Sequence, residues 1–243
     1  MNQDLEKVVE EENEGILLCE TWGTNGVRSL LYQIISAVDF IHSAGVAHRN
    51  LYPAAILLNG KSAQVGSFSQ AISTNTLESR SNLPKYIPGD KRFAAPELWV
   101  QRYDSIPANL WKCIDMWAIG CLMAYVLRGA PLFELIPGNE GNEWLAQVYS
   151  ITECRPSVCG AVSEIPHLSI SEYFTFTCAE EKDLLSKLLC FDPHNRLTTK
   201  QALSHAYFDP IRQERNTLHA LPPPPERCVD DNIFPFFRSL TSL

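Results

Sequence analysis

The sequence predicts a mainly α-helical fold carrying one small β-ribbon, and three observations support this. Leu30, Leu31, Ile34, Ile35, Val38 and Ile41 recur at the three-and-four spacing that puts them on one face of a helix. Residues 116–127 are apolar all round and about as long as a helix buried in a core. Between these, residues 55–58 and 63–65 are short and apolar, separated by Asn59-Gly60, a dipeptide that favours a hairpin turn.

Taken in order, residues 1–14 are acidic, with Glu10, Glu11, Glu12 and Glu14 clustered as on a solvated helix face. Ser29 is placed to cap the helix that runs through Ile41 and ends near Ser43-Ala44-Gly45. The ribbon follows. Residues 69–93 are polar and irregular and hold Ser73, Thr74, Thr76, Ser79 and Ser81. The apolar helix stops at Gly129, just after Arg128. Residues 131–176 mix short helices with loops. Residues 179–189 are amphipathic, with Leu184, Leu185, Leu188 and Leu189 facing inward. Thr198 and Gln201 have capping-box spacing and open a last helix ending near Tyr207. From Pro210 the character changes: residues 222–225 are four prolines, a stiff polyproline II spacer. Ile233, Phe234, Phe236 and Phe237 are too apolar for a free tail and are expected to pack back onto the body. This divides the chain into a body, 1–209, and a Pro-rich and aromatic tail, 210–243.

At 243 residues and 45% apolar, the chain is large enough for a substantial core. A net charge of −8 and a pI near 5.3 argue against nucleic acid and anionic membrane as partners, since both repel such a surface. The eight cysteines are scattered behind no signal peptide, the pattern of reduced thiols in an intracellular protein. Cys154 and Cys159 have no second pair to make a zinc site. No stretch reaches the ~18 apolar residues of a membrane span.

The motifs are more specific. His48-Arg49-Asn50-Leu51-Tyr52-Pro53-Ala54-Ala55-Ile56-Leu57-Leu58 resembles the protein-kinase catalytic loop H-R-D-L-K-P-x-N-I-L-L. Val65-Gly66-Ser67-Phe68 resembles the strand and D-F-G, and Ala95-Pro96-Glu97 the A-P-E. Asp115-Met116-Trp117-Ala118-Ile119-Gly120-Cys121 resembles D-x-W-S-x-G-C, and Phe191-Asp192-Pro193 through Arg196 resembles F-D-P-x-x-R. Five landmarks in order identify the chain as similar to the serine/threonine protein kinases, nearest the cyclin-dependent and mitogen-activated group. The Phe93–Glu97 and Ile114–Trp117 segments also resemble the cell-division-cycle replication kinases. The resemblance implies a kinase-like C-lobe, with residues 69–93 as its activation segment and Gln3-Asp4-Leu5-Glu6-Lys7 as the start of the helix after the hinge. No N-lobe is recognisable, because the 47 residues before His48 contain neither G-x-G-x-x-G nor a V-A-I-K-like segment. That implies a longer isoform, a second chain or a truncated gene.

The resemblance also implies altered chemistry. The base position holds Asn50, the lysine position Tyr52, and the two metal-binding positions Ala55 and Ser67. A neutral amide takes no proton near pH 7, and losing the base costs roughly 10²–10⁴ in rate. Alanine offers a metal no oxygen, and serine offers no charge to a Mg²⁺ ion that favours carboxylates. His48, Arg49, Glu97, Asp115 and Arg196 are assigned structural roles: Glu97 and Arg196 as a buried ion pair, and Asp115 as the residue bonded to the backbone at His48 and Arg49. The expectation is therefore a pseudokinase: not an enzyme, binding neither ATP nor magnesium, and acting as a protein-interaction or scaffolding module for a protein partner inside the cell, cytoplasmic or nuclear. The alternatives are an unconventional serine/threonine kinase whose N-lobe comes from a longer isoform or another chain, and a non-functional partial product.

Overall fold

α4 (Trp111–Arg128) is the axis of the fold. In the computed structural model, which describes residues 3–12, 18–75, 87, 89–100, 106–135, 140–152, 169–175 and 177–218, every α4 residue from Ile114 to Leu127 is buried. The helical stretch Ala108–Arg128, α4 with the turn before it, is long and apolar enough to cross a membrane by length and composition, so the expectation that no stretch qualifies is corrected. However, 83% of that window is buried inside the fold, as in a core helix. Gly129 ends α4 in the left-handed region (φ 75°), where glycine pays no Cβ penalty, and its N–H bonds the Tyr125 carbonyl at 2.8 Å. Gly120 lets Leu188 and Leu189 approach closely, since a Cβ there would lie 2.8 Å from Leu189 Cδ2.

α1 (Leu5–Glu12) and α2 (Leu18–Ser43) pack around this axis. α1 buries Leu5 and Val9, one turn apart, while Glu10 and Glu11 face solvent. α2 buries Val27, Leu30, Leu31, Ile34, Ile35 and Val38. It begins before Ser29, so the expected cap at Ser29 is corrected. The helix instead bends at Gly23 (φ 70°, ψ 163°), and Ser29 Oγ accepts from Gln33 within it.

The ribbon is β3 (Ile56–Asn59) against antiparallel β4 (Ser62–Val65), with Asn59 opposite Ser62, so Gly60-Lys61 form the two-residue turn and Gly60 takes φ 56°. β1 (Gln3–Asp4) adds to the outer edge of β3, pairing Gln3 with Leu58. β2 (Val46–Ala47) pairs with β5 (Ile72–Ser73) in a second sheet. α3 (Glu97–Val100), α5 (Glu140–Thr152) and α6 (Ile170–Tyr173) follow in chain order. α7 (Ala179–Leu188) buries Leu184, Leu185 and Leu188. Thr198 caps α8 (Thr199–Leu203) through a complete capping box with Gln201, and α8 ends short of Tyr207. α9 (Asp209–Leu218) runs across the position where the sequence divides body from tail, and buries Ile211. The polyproline stretch, the four aromatic and apolar tail residues, Thr76, Ser79, Ser81, Cys154 and Cys159 lie outside the described residues. Among the described residues Cys113, Cys121, Cys178 and Cys190 are free thiols.

Candidate active site

The loop after β2 is held by one carboxylate. Asp115, 1% exposed on α4, accepts the His48 backbone N–H on Oδ2 (2.8 Å), the Arg49 N–H on Oδ1 (2.7 Å) and His42 Nε2–H on Oδ2 (2.8 Å). Three bonds to a charged acceptor keep Arg49 at φ 68°, a left-handed conformation that a non-glycine residue rarely adopts. Arg49 is buried, and its guanidinium stacks on Trp111 with 4.8 Å to the ring centroid.

His48 is fully buried. Its Nε2 donates to the Gly66 carbonyl at 2.7 Å, while its Nδ1 accepts from the Asn50 N–H at 3.3 Å. Burial pushes its pKa below the usual 6.5, against the opposing pull of Asp115. The Phe68 ring lies 4.8 Å from the imidazole. Catalytic loop and ribbon are thus joined through His48, Gly66 and Phe68.

Tyr52 precedes the 3₁₀ turn Pro53–Ala55 and packs its ring half-buried against the core. Ala55 is completely buried, and its carbonyl accepts the Gly66 N–H at 2.8 Å. Ser67 is exposed and left-handed (φ 61°, ψ 47°). Asn50 is half-buried. Its Oδ1 lies so near Gly89 that a Cβ built there would sit 1.6 Å from it, and Gly89 has φ +70°. The next residue, Asp90, caps the turn Lys91–Phe93 by accepting the Arg92 N–H at 2.9 Å, and it takes Arg92 Nε at 3.0 Å and Nη2 at 2.7 Å. Arg49, Asn50 and Asp90 line one crevice of about 10 Å³.

Glu97 and Arg196 meet in a buried bidentate pair: Nη1 to Oε1 at 2.9 Å and Nη2 to Oε2 at 3.2 Å. Arg196 also donates to the carbonyls of Cys113, Cys190 and Phe191, and lies over Trp117. The structure brings His48, Arg49 and Asp115 together around Asn50, whereas Glu97 and Arg196 tie α3 to the loop before α8.

Residues 2–208 match the protein kinase domain. The chain belongs to the protein kinase family. It is 33% identical over 201 residues to mitogen-activated protein kinase 15 of Xenopus laevis, covering 74% of this chain and 32% of that protein. It is 28% identical over 240 residues to mitogen-activated protein kinase PMK1 of Pyricularia oryzae, covering 93% and 65%. To extracellular signal-regulated kinase 7 of Drosophila melanogaster it is 31% identical over 204 residues, covering 74% and 21%. The chain therefore spans less than two thirds of the length of these relatives.

These findings correct two expectations. A chain that is not an enzyme is overturned by the kinase-domain match and the mitogen-activated relatives, which point to a serine/threonine kinase. The absence of ATP and magnesium is overturned by the same membership, because the family uses both. Single side chains at the motif positions point away from catalysis, whereas the family membership rests on the whole kinase frame, residues 2–208. Ala55 and Ser67 do not fit a magnesium ion held by protein carboxylates. They change which groups would ligate the ion, leaving phosphate oxygens and water.

Three residues at the site escaped the sequence reading. His42 ends an amphipathic helix with nothing in the local pattern to single it out. Gly89 and Asp90 fell within a stretch read only as irregular, and the approach of Gly89 to Asn50 is long-range.

Proposed function

We propose that this chain forms the acceptor-side lobe of a serine/threonine protein kinase of the mitogen-activated group, transferring phosphate to hydroxyls of protein substrates inside the cell, in the cytoplasm or nucleus. The observation that carries this reading is the Asp115 bracket: three donors fixed on one buried carboxylate hold the loop that presents Asn50. Phosphoryl transfer depends mostly on positioning and charge stabilisation, so a rigid loop is the part of the machinery this lobe contributes. Asn50 Oδ1 can accept the hydrogen bond of an acceptor hydroxyl and orient it, although the amide takes no proton, and this slows transfer by roughly 10²–10⁴.

The test is phosphate incorporation into a pool of serine- and threonine-containing peptides, using the full chain, ATP and magnesium. Slow transfer is expected, rising on Asn50→Asp. No incorporation from either protein overturns the reading. A second reading, a protein-interaction or scaffolding module, is favoured by Ala55 and Ser67, which offer no carboxylate. A partner that binds the chain equally well with Asn50 replaced by alanine would support it.

A further inference from the structure

We propose that the cleft between Lys112 and the end of β5 binds a phosphorylated serine or threonine side chain of a protein partner, with the Lys112 ammonium as the group that holds the phosphate. The site is separate from the loop that presents Asn50 and needs no transfer chemistry. Thr74, Pro107, Ala108, Asn109 and Lys112 line an open cleft of about 490 Å³, within the roughly 300–1,000 Å³ of small-ligand sites. Its two walls come from parts of the chain that the fold fixes independently. Thr74 follows β5, and both its N–H and its Oγ1 donate to the Gly45 carbonyl, at 2.7 and 3.0 Å. Residues 107–112 form the turn that opens α4.

The charge in this cleft is unbalanced. Lys112 is half-buried, and among the described residues no acceptor or carboxylate is bonded to its ammonium. Among those residues none that lines the cleft is acidic. Burial, with no neighbouring carboxylate to oppose it, holds the Lys112 pKa below the usual 10.5. Asp115, three residues on, is taken up by the donors at His42, His48 and Arg49. A partly desolvated cation gains most from a ligand that brings the opposite charge. A phosphate monoester brings about −1.5 to −2 at neutral pH and three acceptor oxygens. Lysine meets it as a point charge with three donors, and the exposed Asn109 amide adds two more. A lone phosphate would leave the wall of Pro107 and Ala108 uncovered, so the phosphate belongs to a peptide whose neighbouring atoms cover that wall.

The test is fluorescence anisotropy, without ATP, of a labelled peptide pool with a fixed central phosphoserine and random flanks. It is titrated with the full chain and with four variants whose thermal midpoints are also measured. Saturable binding is expected, absent for the unphosphorylated pool and weaker for a pool with glutamate in place of phosphoserine. Lys112→Met is expected to weaken binding about tenfold or more, as for loss of a charge-assisted hydrogen bond. Asn109→Asp is expected to weaken it as much, by setting a carboxylate beside the lysine, and Lys112→Arg to keep it within a few-fold. Lys200→Met, which removes the same charge from an exposed position on α8, is expected to leave affinity unchanged. Because Asn109 is exposed, Asn109→Asp reports on the site even where Lys112→Met lowers the midpoint. Full affinity in Lys112→Met or Asn109→Asp, a Lys112→Arg that binds no better than Lys112→Met, an equal loss in Lys200→Met, or no binding by the unaltered chain overturns the site. Equal affinity for the glutamate pool overturns the phosphate, and inorganic phosphate that competes as strongly as the phosphopeptide pool overturns the peptide. With no ATP present, none of these outcomes bears on the kinase reading.

Discussion

His48 has a single hydrogen-bonding pattern open to it. Gly66 offers only a carbonyl to Nε2 and the Asn50 backbone only an N–H to Nδ1, so the ring must be neutral with its proton on Nε2. A second proton would set Nδ1–H against Asn50 N–H inside a site from which water is excluded. Burial accordingly holds the pKa below 6.5 in the folded chain, while the unfolded chain keeps the ordinary value. Below about pH 6.5 the unfolded state then binds more protons than the folded state. The stability contributed by neutral His48 is complete above that pH and drains away as pH falls from there toward the folded value. Urea midpoints taken between pH 7.5 and 5 should fall for the wild-type chain and fall less for His48→Gln. Parallel slopes would remove His48 as the source. Arg49 in the left-handed region and Asn50 beneath Gly89 depend on the same small cluster, so acid should disturb the loop geometry before the distant helices.

At the scale of elements, Arg196 joins α3, α4 and the loop before α8 with one guanidinium. Its donors are spread over Glu97, Cys113, Cys190 and Phe191, and the plane lies over Trp117. Lysine carries the charge but lacks the flat five-donor fork, and it cannot serve a bidentate carboxylate and three carbonyls together. Arg196→Lys should therefore cost about as much as breaking a buried pair, roughly 3–5 kcal/mol, seen as a lower urea midpoint with an unchanged slope. Pairing it with Glu97→Leu should restore part of the loss by removing the stranded charge. Equal midpoints for Arg196→Lys and wild type would show that the fork geometry contributes nothing. Elements with strong periodicity were legible from sequence. α4, α7 and the ribbon follow from runs of apolar residues, and the Gly129 stop from the freedom of glycine at positive φ. The start of α2 was not, because Ser29 is an equally good cap or interior residue until the Gly23 bend is seen, and β1 is two residues long, too short to show a period.

At the scale of the molecule, the end of the folded body is the feature that composition placed least well. The Pro-rich and aromatic composition after residue 209 suggested a tail, yet α9 begins at Asp209 and leans on α2 and on the turn Ala206–Phe208. The approach of Gly89 to Asn50 was equally hidden, since the two residues are far apart in the chain and no local window contains both. α9 is bound to the body in two ways. Ile211 is 5% exposed, worth about 1.5–3 kcal/mol of burial. Arg212 Nη1 donates to the carbonyls of Leu203 at 2.5 Å and His205 at 3.0 Å, closing the end of α8. Net hydrogen-bond worth adds about 0.5–1.5 kcal/mol each. A chain ending at 208 should therefore melt below one ending at 218 by several degrees, given roughly 2–4 °C per kcal/mol for a body of this size. Ile211→Ala in the longer chain should account for about half of the difference, with Arg212→Ala giving most of the rest. Coincident midpoints for the two truncated chains would show that α9 is an appendage and that the body ends where the composition changes.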